Sequence, residues 1–369
     1  MRDAPFITQP LSVVLDLVRA LAALVVLIGH AVQLGHYDGY YPFSTQFQHN
    51  AVIVFFVLSG LVIAASVDRA KASPRPQTLA SYAVARAARI LPVALPALAI
   101  SLAVMVLDAL ILPTAIFGED AVGVPASEWL YALLFLSESY QTAFAPNPPY
   151  WSLCYEVWFY ALFAIATFVG GWQRLFWLAA LGAIAGPNVL LLFPVWLIGV
   201  ALARMPIARR VPFWLGIAFV ILAVAALFAM PMISRPLYHV IAGFVPWRMG
   251  FSMLAITDFL LGLALALGFA GLRRLTLDRG TVLVRIAPAV RYAANMSFSL
   301  YLLHWPLLKL LRVLREPENG TLGFGLVLAV ILVASALFAT LTEHHTPRFR
   351  ALLERGFGRR GKENAATAA

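Results

Sequence analysis

A single cysteine, Cys154, stands in the 369 residues, so an intramolecular disulfide is excluded and the fold depends on packing alone. Charge is equally scarce: Asp, Glu, Lys and Arg make up 12% of the chain against 62% apolar residues, and mean hydropathy is +0.85. A soluble domain carries about twice that share of charge. The ten-residue alternating pattern of outer-membrane strands is missing, and apolar runs of about 15 to 23 residues take its place. Neither a solenoid repeat nor the similarity between halves that marks inverted-repeat transporters is present. Acids are the minority, 17 against 27 Lys and Arg, giving a formal charge of +10. The basic residues sit in short loops between apolar runs rather than on a folded basic domain, which argues against nucleic acid as a partner and reports membrane topology instead.

These patterns predict an all-α polytopic membrane protein with about ten transmembrane helices, near 11–33, 50–67, 90–112, 151–170, 175–186, 188–203, 212–231, 252–271, 292–312 and 322–342. With both termini cytoplasmic, 22 of the 27 Lys and Arg fall on the inner side, leaving Arg235, Arg248, Lys309, Arg312 and Arg315 outside. The fifth and sixth runs are short and separated only by Gly186, Pro187 and Asn188, so they read either as two spans or as a re-entrant pair with both ends inside. Trp129 to Leu136 is too short to span and is placed on the outer surface. The first run is too long for a signal-peptide core and lacks a small-residue cleavage site before Gln33 and His36, so it reads as a retained helix. One transmembrane domain over 1–347 is expected, then a basic cytoplasmic tail over 348–369, disordered from about Gly356.

Ionisable groups inside a bilayer are functional by default. Arg19 and His30 lie eleven residues apart in the first run. That spacing advances about 16 Å and returns to within roughly 20° in azimuth, which places both on one stripe along a common path. Asp16, three residues before Arg19, is positioned to pair with it. His30 falls in the outer half of its span, where a buried neutral imidazole can act as a general base, although a lone helical histidine is more often a packed one. His304 reaches the same depth in the ninth span, with Tyr301 and Ser297 earlier on its face and Pro306 just after it, free to release the carbonyl of Leu302. Glu156 enters the fourth span behind Ser152, a candidate N-cap, and would orient an imidazole or serve merely as an N-terminal acid. Arg86 and Arg89, one turn apart at the inner surface, suit phosphate or anionic lipid headgroups, lipid being the simpler reading without further context. The outer loops carry His36, Tyr37, Tyr40, Tyr41 and His49, then Glu119, Asp120, Glu128 and Glu138. Such groups suit sugar hydroxyls, and the tyrosines equally suit an interfacial aromatic belt. Cys154 reads as packing, and no metal-ligand cluster stands out.

Five fragments in order resemble one family. They are Leu15-Asp16-Leu17-Val18-Arg19 through Gly29-His30, Phe55-Phe56-Val57-Leu58-Ser59-Gly60, the Arg86/Arg89 pair, Trp151-Ser152-Leu153 with Glu156 and Tyr160, and Ser299-Leu300-Tyr301-Leu302-Leu303-His304-Trp305-Pro306. Together they are similar to the membrane-bound acyltransferase 3 family, O-acyltransferases that modify bacterial polysaccharides, lipopolysaccharides, Nod factors and some antibiotics. The chain departs from the pattern at Leu17, where Gly is usual, at Val157, where a second Glu is frequent, and at 343–348, where a closing Glu-x-Pro-Arg is spread out. The resemblance implies transfer of an acyl group, commonly acetyl from acetyl-CoA, to a carbohydrate or glycolipid hydroxyl at the outer face of the bacterial inner membrane. On that reading His30, Glu156 and His304 are catalytic, Arg19, Arg86 and Arg89 hold the acyl-CoA donor, and no metal takes part. The rival from another class is a secondary transporter or exporter, since intramembrane His, Arg and Glu also build proton relays. A non-catalytic partner in a polysaccharide-synthesis complex is a further one.

Overall fold

A computed structural model of the chain describes residues 5–43, 46–74, 76–112, 116, 124–139, 144–244, 249–277, 280–314 and 320–355. Ten α-helices carry these residues: α1 Gln9–Gln33, α2 Gln46–Lys71, α3 Leu79–Leu110, α4 Ala126–Leu133, α5 Trp151–Phe168, α6 Gly171–Arg204, α7 Phe213–Ala242, α8 Ala255–Thr276, α9 Gly280–Leu314 and α10 Thr321–Thr342. No strand occurs among the described residues. Starts are set by local chemistry. The Thr8 side chain accepts from the amide of Leu11 at α1, and Thr78 and Ser81 form a reciprocal capping box at α3.

Eight described helices are long and apolar enough to cross a membrane, which makes this a polytopic membrane protein. The two spans by which the expected ten exceed this number are both present as helix. One lies in α9, whose stretch through Asn295, Ser297, Ser299 and His304 is the most polar of the expected spans. The other arises because α6 holds two helical runs joined at Gly186, where φ is 85° and ψ is 165°, a left-handed conformation that glycine adopts without strain. Just past this break Asn188 donates to the carbonyl of Glu138 beyond α4, while Arg204 at the far end pairs with Asp68 near the end of α2. The halves therefore form a hairpin with both ends on the Asp68 side. Trp129–Leu136 forms the eight-residue α4 and its exit, too short to span. The tail from Gly356 lies outside the described residues, and residues 346–355 are helical.

Small residues set the tightest helix pairs. A Cβ at Gly60 of α2 would strike the carbonyl of Trp196 in α6, and one at Gly199 would strike the carbonyl of Val57. The two backbones thus interlock reciprocally, as membrane helices do where packing rather than the hydrophobic effect drives association. This gives the Val57-Leu58-Ser59-Gly60 stretch a structural meaning. Ser59, beside that glycine, accepts from the Trp196 indole at 3.1 Å. Tyr155, Phe159, Trp196 and neighbouring apolar side chains fill the core between α2, α5 and α6.

Candidate active site

α1 and α9 pack against one another and bring two imidazoles together from positions 274 residues apart. His30 Nδ1 lies 2.8 Å from His304 Nε2, with the rings stacked at 7° and 5.0 Å between centroids. The Nδ1 of His304 lies 2.7 Å from the carbonyl of Tyr301. A carbonyl only accepts, so this nitrogen carries a proton. A neutral His304 then has a lone pair on Nε2, which accepts from Nδ1–H of His30. The remaining nitrogen of His30, Nε2, is left with a lone pair. This is the arrangement of a general base whose tautomer is set by a buried partner. His304 is fully buried, and Trp305 stands edge-on to His30 at 5.1 Å and 88°.

Pro306 acts on this dyad as the sequence leads one to expect. It has no amide to offer the carbonyl of Leu302, and Asn147 Nδ2 donates to that oxygen instead, at 2.9 Å. The loop before α5 thereby grips α9 within one turn of His304.

His30 lines a cavity of about 1080 Å³, together with Trp151, Phe251, Tyr301 and Trp305. Arg19, Arg86, Arg89 and Glu156 line another, of about 450 Å³. The common path expected between Arg19 and His30 is therefore divided in two. Val52 and Tyr301 belong to both linings and form the boundary. Tyr301 is held there by its hydroxyl, which pairs with Ser152 at 2.6 Å and donates to the carbonyl of Pro149 at 2.9 Å. Ser152 is accordingly no N-cap: α5 starts at Trp151 without a side-chain cap, and the Ser152 hydroxyl serves Tyr301.

Glu156 does not touch the imidazoles. It lies one turn below Ser152, about 6 Å farther along the helix, on the arginine side of Tyr301. There Tyr160 donates to it at 2.6 Å, and the Ser59 and Tyr160 hydroxyls are 3.0 Å apart. With Trp196 donating to Ser59, the carboxylate ends a directed chain from Trp196 through Ser59 and Tyr160. The Phe-Phe-Val-Leu-Ser-Gly fragment and the Trp-Ser-Leu/Glu/Tyr fragment meet in this chain.

The three arginines differ in their partners. Arg19 pairs with Asp16 at 3.6 Å, as their spacing predicts, and Arg89 with Glu343 at 3.2 Å. Glu343 is itself anchored by the amide and hydroxyl of Ser299 in α9. Arg86 has no ion pair among the described residues. Its guanidinium lies 5.8 Å from the ring centres of both Tyr82 and Tyr160, and its buried Nε has no hydrogen-bond partner. Of the three, Arg86 is the one without an ion pair at the smaller cavity, which Glu156 also lines. Glu343, unassigned from sequence, could have been found from the spread-out closing motif.

Neither Glu128 nor Glu138 lines the larger cavity, and Glu119 and Asp120 lie outside the described residues. His49 is no loop residue: α2 begins at Gln46 and carries it inside the bundle. Cys154 is wholly buried, and no group of three or more potential metal ligands occurs among the described residues.

A family model described as an acyltransferase domain matches residues 13–341, nearly the whole chain. The chain belongs to the acyltransferase 3 family. All five fragments that carry the resemblance fall within the matched residues of this acyltransferase domain, and the histidine dyad joins the first fragment to the last. No curated protein and no solved structure matches the chain.

Proposed function

We propose that the protein transfers an acyl group, acetyl in the simplest case, from acyl-CoA to a hydroxyl of a carbohydrate or glycoconjugate at the outer face of the bacterial inner membrane. The observation that carries this reading is the His30–His304 pair, which leaves one lone pair of His30 at a large cavity on the far side of Tyr301 from the arginines. The charge bias of the loops supports a cytoplasmic arginine side, the compartment where acyl-CoA is made.

Arg86, Arg89 and Arg19 take the phosphates and the entry of the donor arm. The orphaned Nε of Arg86 fits an anionic oxygen. The thioester passes the boundary at Val52 and Tyr301 to reach His30. His30 Nε2 removes the acceptor hydroxyl proton as the oxygen attacks the thioester carbonyl. The C–O bond forms, the C–S bond breaks, and the proton passes from the imidazolium to the departing thiolate. His304 keeps Nδ1–H of His30 aligned and shares the transient charge. The Trp305 indole N–H, which has no partner among the described residues, is the donor available to the oxyanion.

The test is label transfer from radioactive acetyl-CoA in proteoliposomes with added glycan. His30→Ala at normal expression should lower transfer on the order of 10²-fold or more while acetyl-CoA binding persists. Wild-type transfer by that variant overturns the assignment. Glycan counterflow without acetyl-CoA consumption would instead establish a transporter.

A further inference from the structure

A second imidazole faces the same large cavity and has no part in the chemistry above. His49 of α2 is 8% exposed, and Asp258 of α8, 209 residues on, is 2% exposed. His49 Nε2 lies 2.9 and 3.0 Å from the two carboxylate oxygens of Asp258. A carboxylate only accepts, so this nitrogen carries a proton, and in the neutral imidazole Nδ1 then presents a lone pair. That Nδ1 is buried and has no hydrogen-bond partner among the described residues. Leaving a buried acceptor unpaired costs about 1–3 kcal/mol, so such an atom calls for a ligand.

The surroundings say which kind. The rings of His49, Trp151 and Phe251 are nearly parallel, at 11°, 17° and 14° to one another, with centroids 4.6 to 6.2 Å apart. Phe251 is 36% exposed while Trp151 is buried, so the stack presents one open aromatic face, that of Phe251, with the His49 imidazole beside it. No carboxylate lines this cavity among the described residues, because Asp258 stands behind His49. Imidazoles, the amides of Gln33, Gln46 and Gln48 and the hydroxyls of Tyr238 and Tyr301 are the side-chain acceptors that line it, with Arg235 as its one cation among the described residues. Apolar ring faces together with a few placed acceptors match a pyranose, whose C–H face stacks while its hydroxyls donate at the edge.

We propose that His49, oriented by Asp258, accepts a hydrogen bond from a hydroxyl of the acceptor sugar seated on the open face of Phe251, forming an acceptor subsite separate from the His30 dyad. This rests on the carbohydrate reading above.

The experiment measures acetyl transfer from labelled acetyl-CoA to a panel of methyl hexopyranosides by the full-length protein in proteoliposomes. His49→Gln keeps an amide donor for Asp258 but removes the acceptor at Nδ1, whereas His49→Asn returns an oxygen near the Nδ1 position. The expected result is a rise of at least tenfold in KM for the glycoside with His49→Gln, a smaller rise with His49→Asn, which returns the acceptor without the contact to Asp258, and KM for acetyl-CoA within twofold of wild type in both. Asp258→Asn should raise the glycoside KM as well, as a positioning residue does. Unchanged glycoside KM in His49→Gln, or an equal rise in both KM values, overturns the subsite while leaving the carbohydrate reading intact. Failure of the wild-type protein to acetylate any glycoside sinks the carbohydrate reading itself, and this inference with it. Thermal unfolding of each variant in detergent separates lost binding from lost folding, and a glycoside KM that tracks the unfolding temperature across the variants also counts against the subsite.

Discussion

His304 holds His30 by one nitrogen and the carbonyl of Tyr301 by the other, so the proton positions of two rings follow from a single backbone oxygen. His304→Ala should therefore lower kcat by about 10- to 100-fold through loss of the correct His30 tautomer, with little change in KM for acyl-CoA. Groups that act as a unit are not additive, so the His30→Ala/His304→Ala double variant should be no slower than His30→Ala alone. Multiplying defects would show that the rings work separately. Steady-state kinetics on the four proteins decides.

The unequal pairing of the arginines separates two substitutions that look alike in sequence. Arg86→Ala should raise KM for acyl-CoA about tenfold or more and lower the unfolding temperature less than Arg89→Ala, because that guanidinium loses two cation–π contacts but no ion pair. Arg89→Ala should raise the same KM and also destabilise the protein, since it strands the buried carboxylate of Glu343. Arg89 is partly exposed, so the loss should be at the low end for a broken pair, about 1–3 kcal/mol. Isothermal binding of CoA and thermal unfolding, read together, check both.

Asn147 and Pro306 form a compensating pair that a double-mutant cycle can expose. Asn147→Ala should cost about 1–3 kcal/mol by orphaning the carbonyl of Leu302. Adding Pro306→Ala restores a backbone amide one turn on and should recover part of that loss. Strictly additive destabilisation would mean that the side chain is not substituting for the missing amide.

Gly60→Ala should lower stability by about 1–3 kcal/mol, or prevent accumulation in the membrane, because its methyl group would meet the Trp196 carbonyl and backbone cannot yield cheaply. Gly325→Ala is a fitting control, since a Cβ there meets nothing within 4 Å. Equal unfolding temperatures for the two variants would contradict the interlocked packing of α2 and α6.

Much of this architecture could be read from residue order. Span direction alone places His30 and His304 at one depth, and the three-residue step from Asp16 to Arg19 announces their pairing. Rotation about a helix axis is harder to read. Glu156 was expected beside an imidazole because it stands near the start of α5, yet one turn of descent carries it beneath Tyr301 and into the hydrogen-bond chain through Tyr160. The hairpin in α6 has its signal at Gly186, but whether the chain doubles back there depends on distant partners such as Glu138 and Asp68. His49 was hidden for the same reason. Hydropathy begins α2 a few residues too late, and Asp258, which gives that imidazole its orientation, belongs to another helix.

The pinned phenol of Tyr301 has a consequence for the cell. On the proposed function, because its ring and Val52 bound both chambers, the bulky nucleotide end of the donor need not leave the compartment that synthesises it, and only the thioester arm has to pass the tyrosine. On the same proposal, a glycan on the far side would be decorated at the expense of cytoplasmic metabolism.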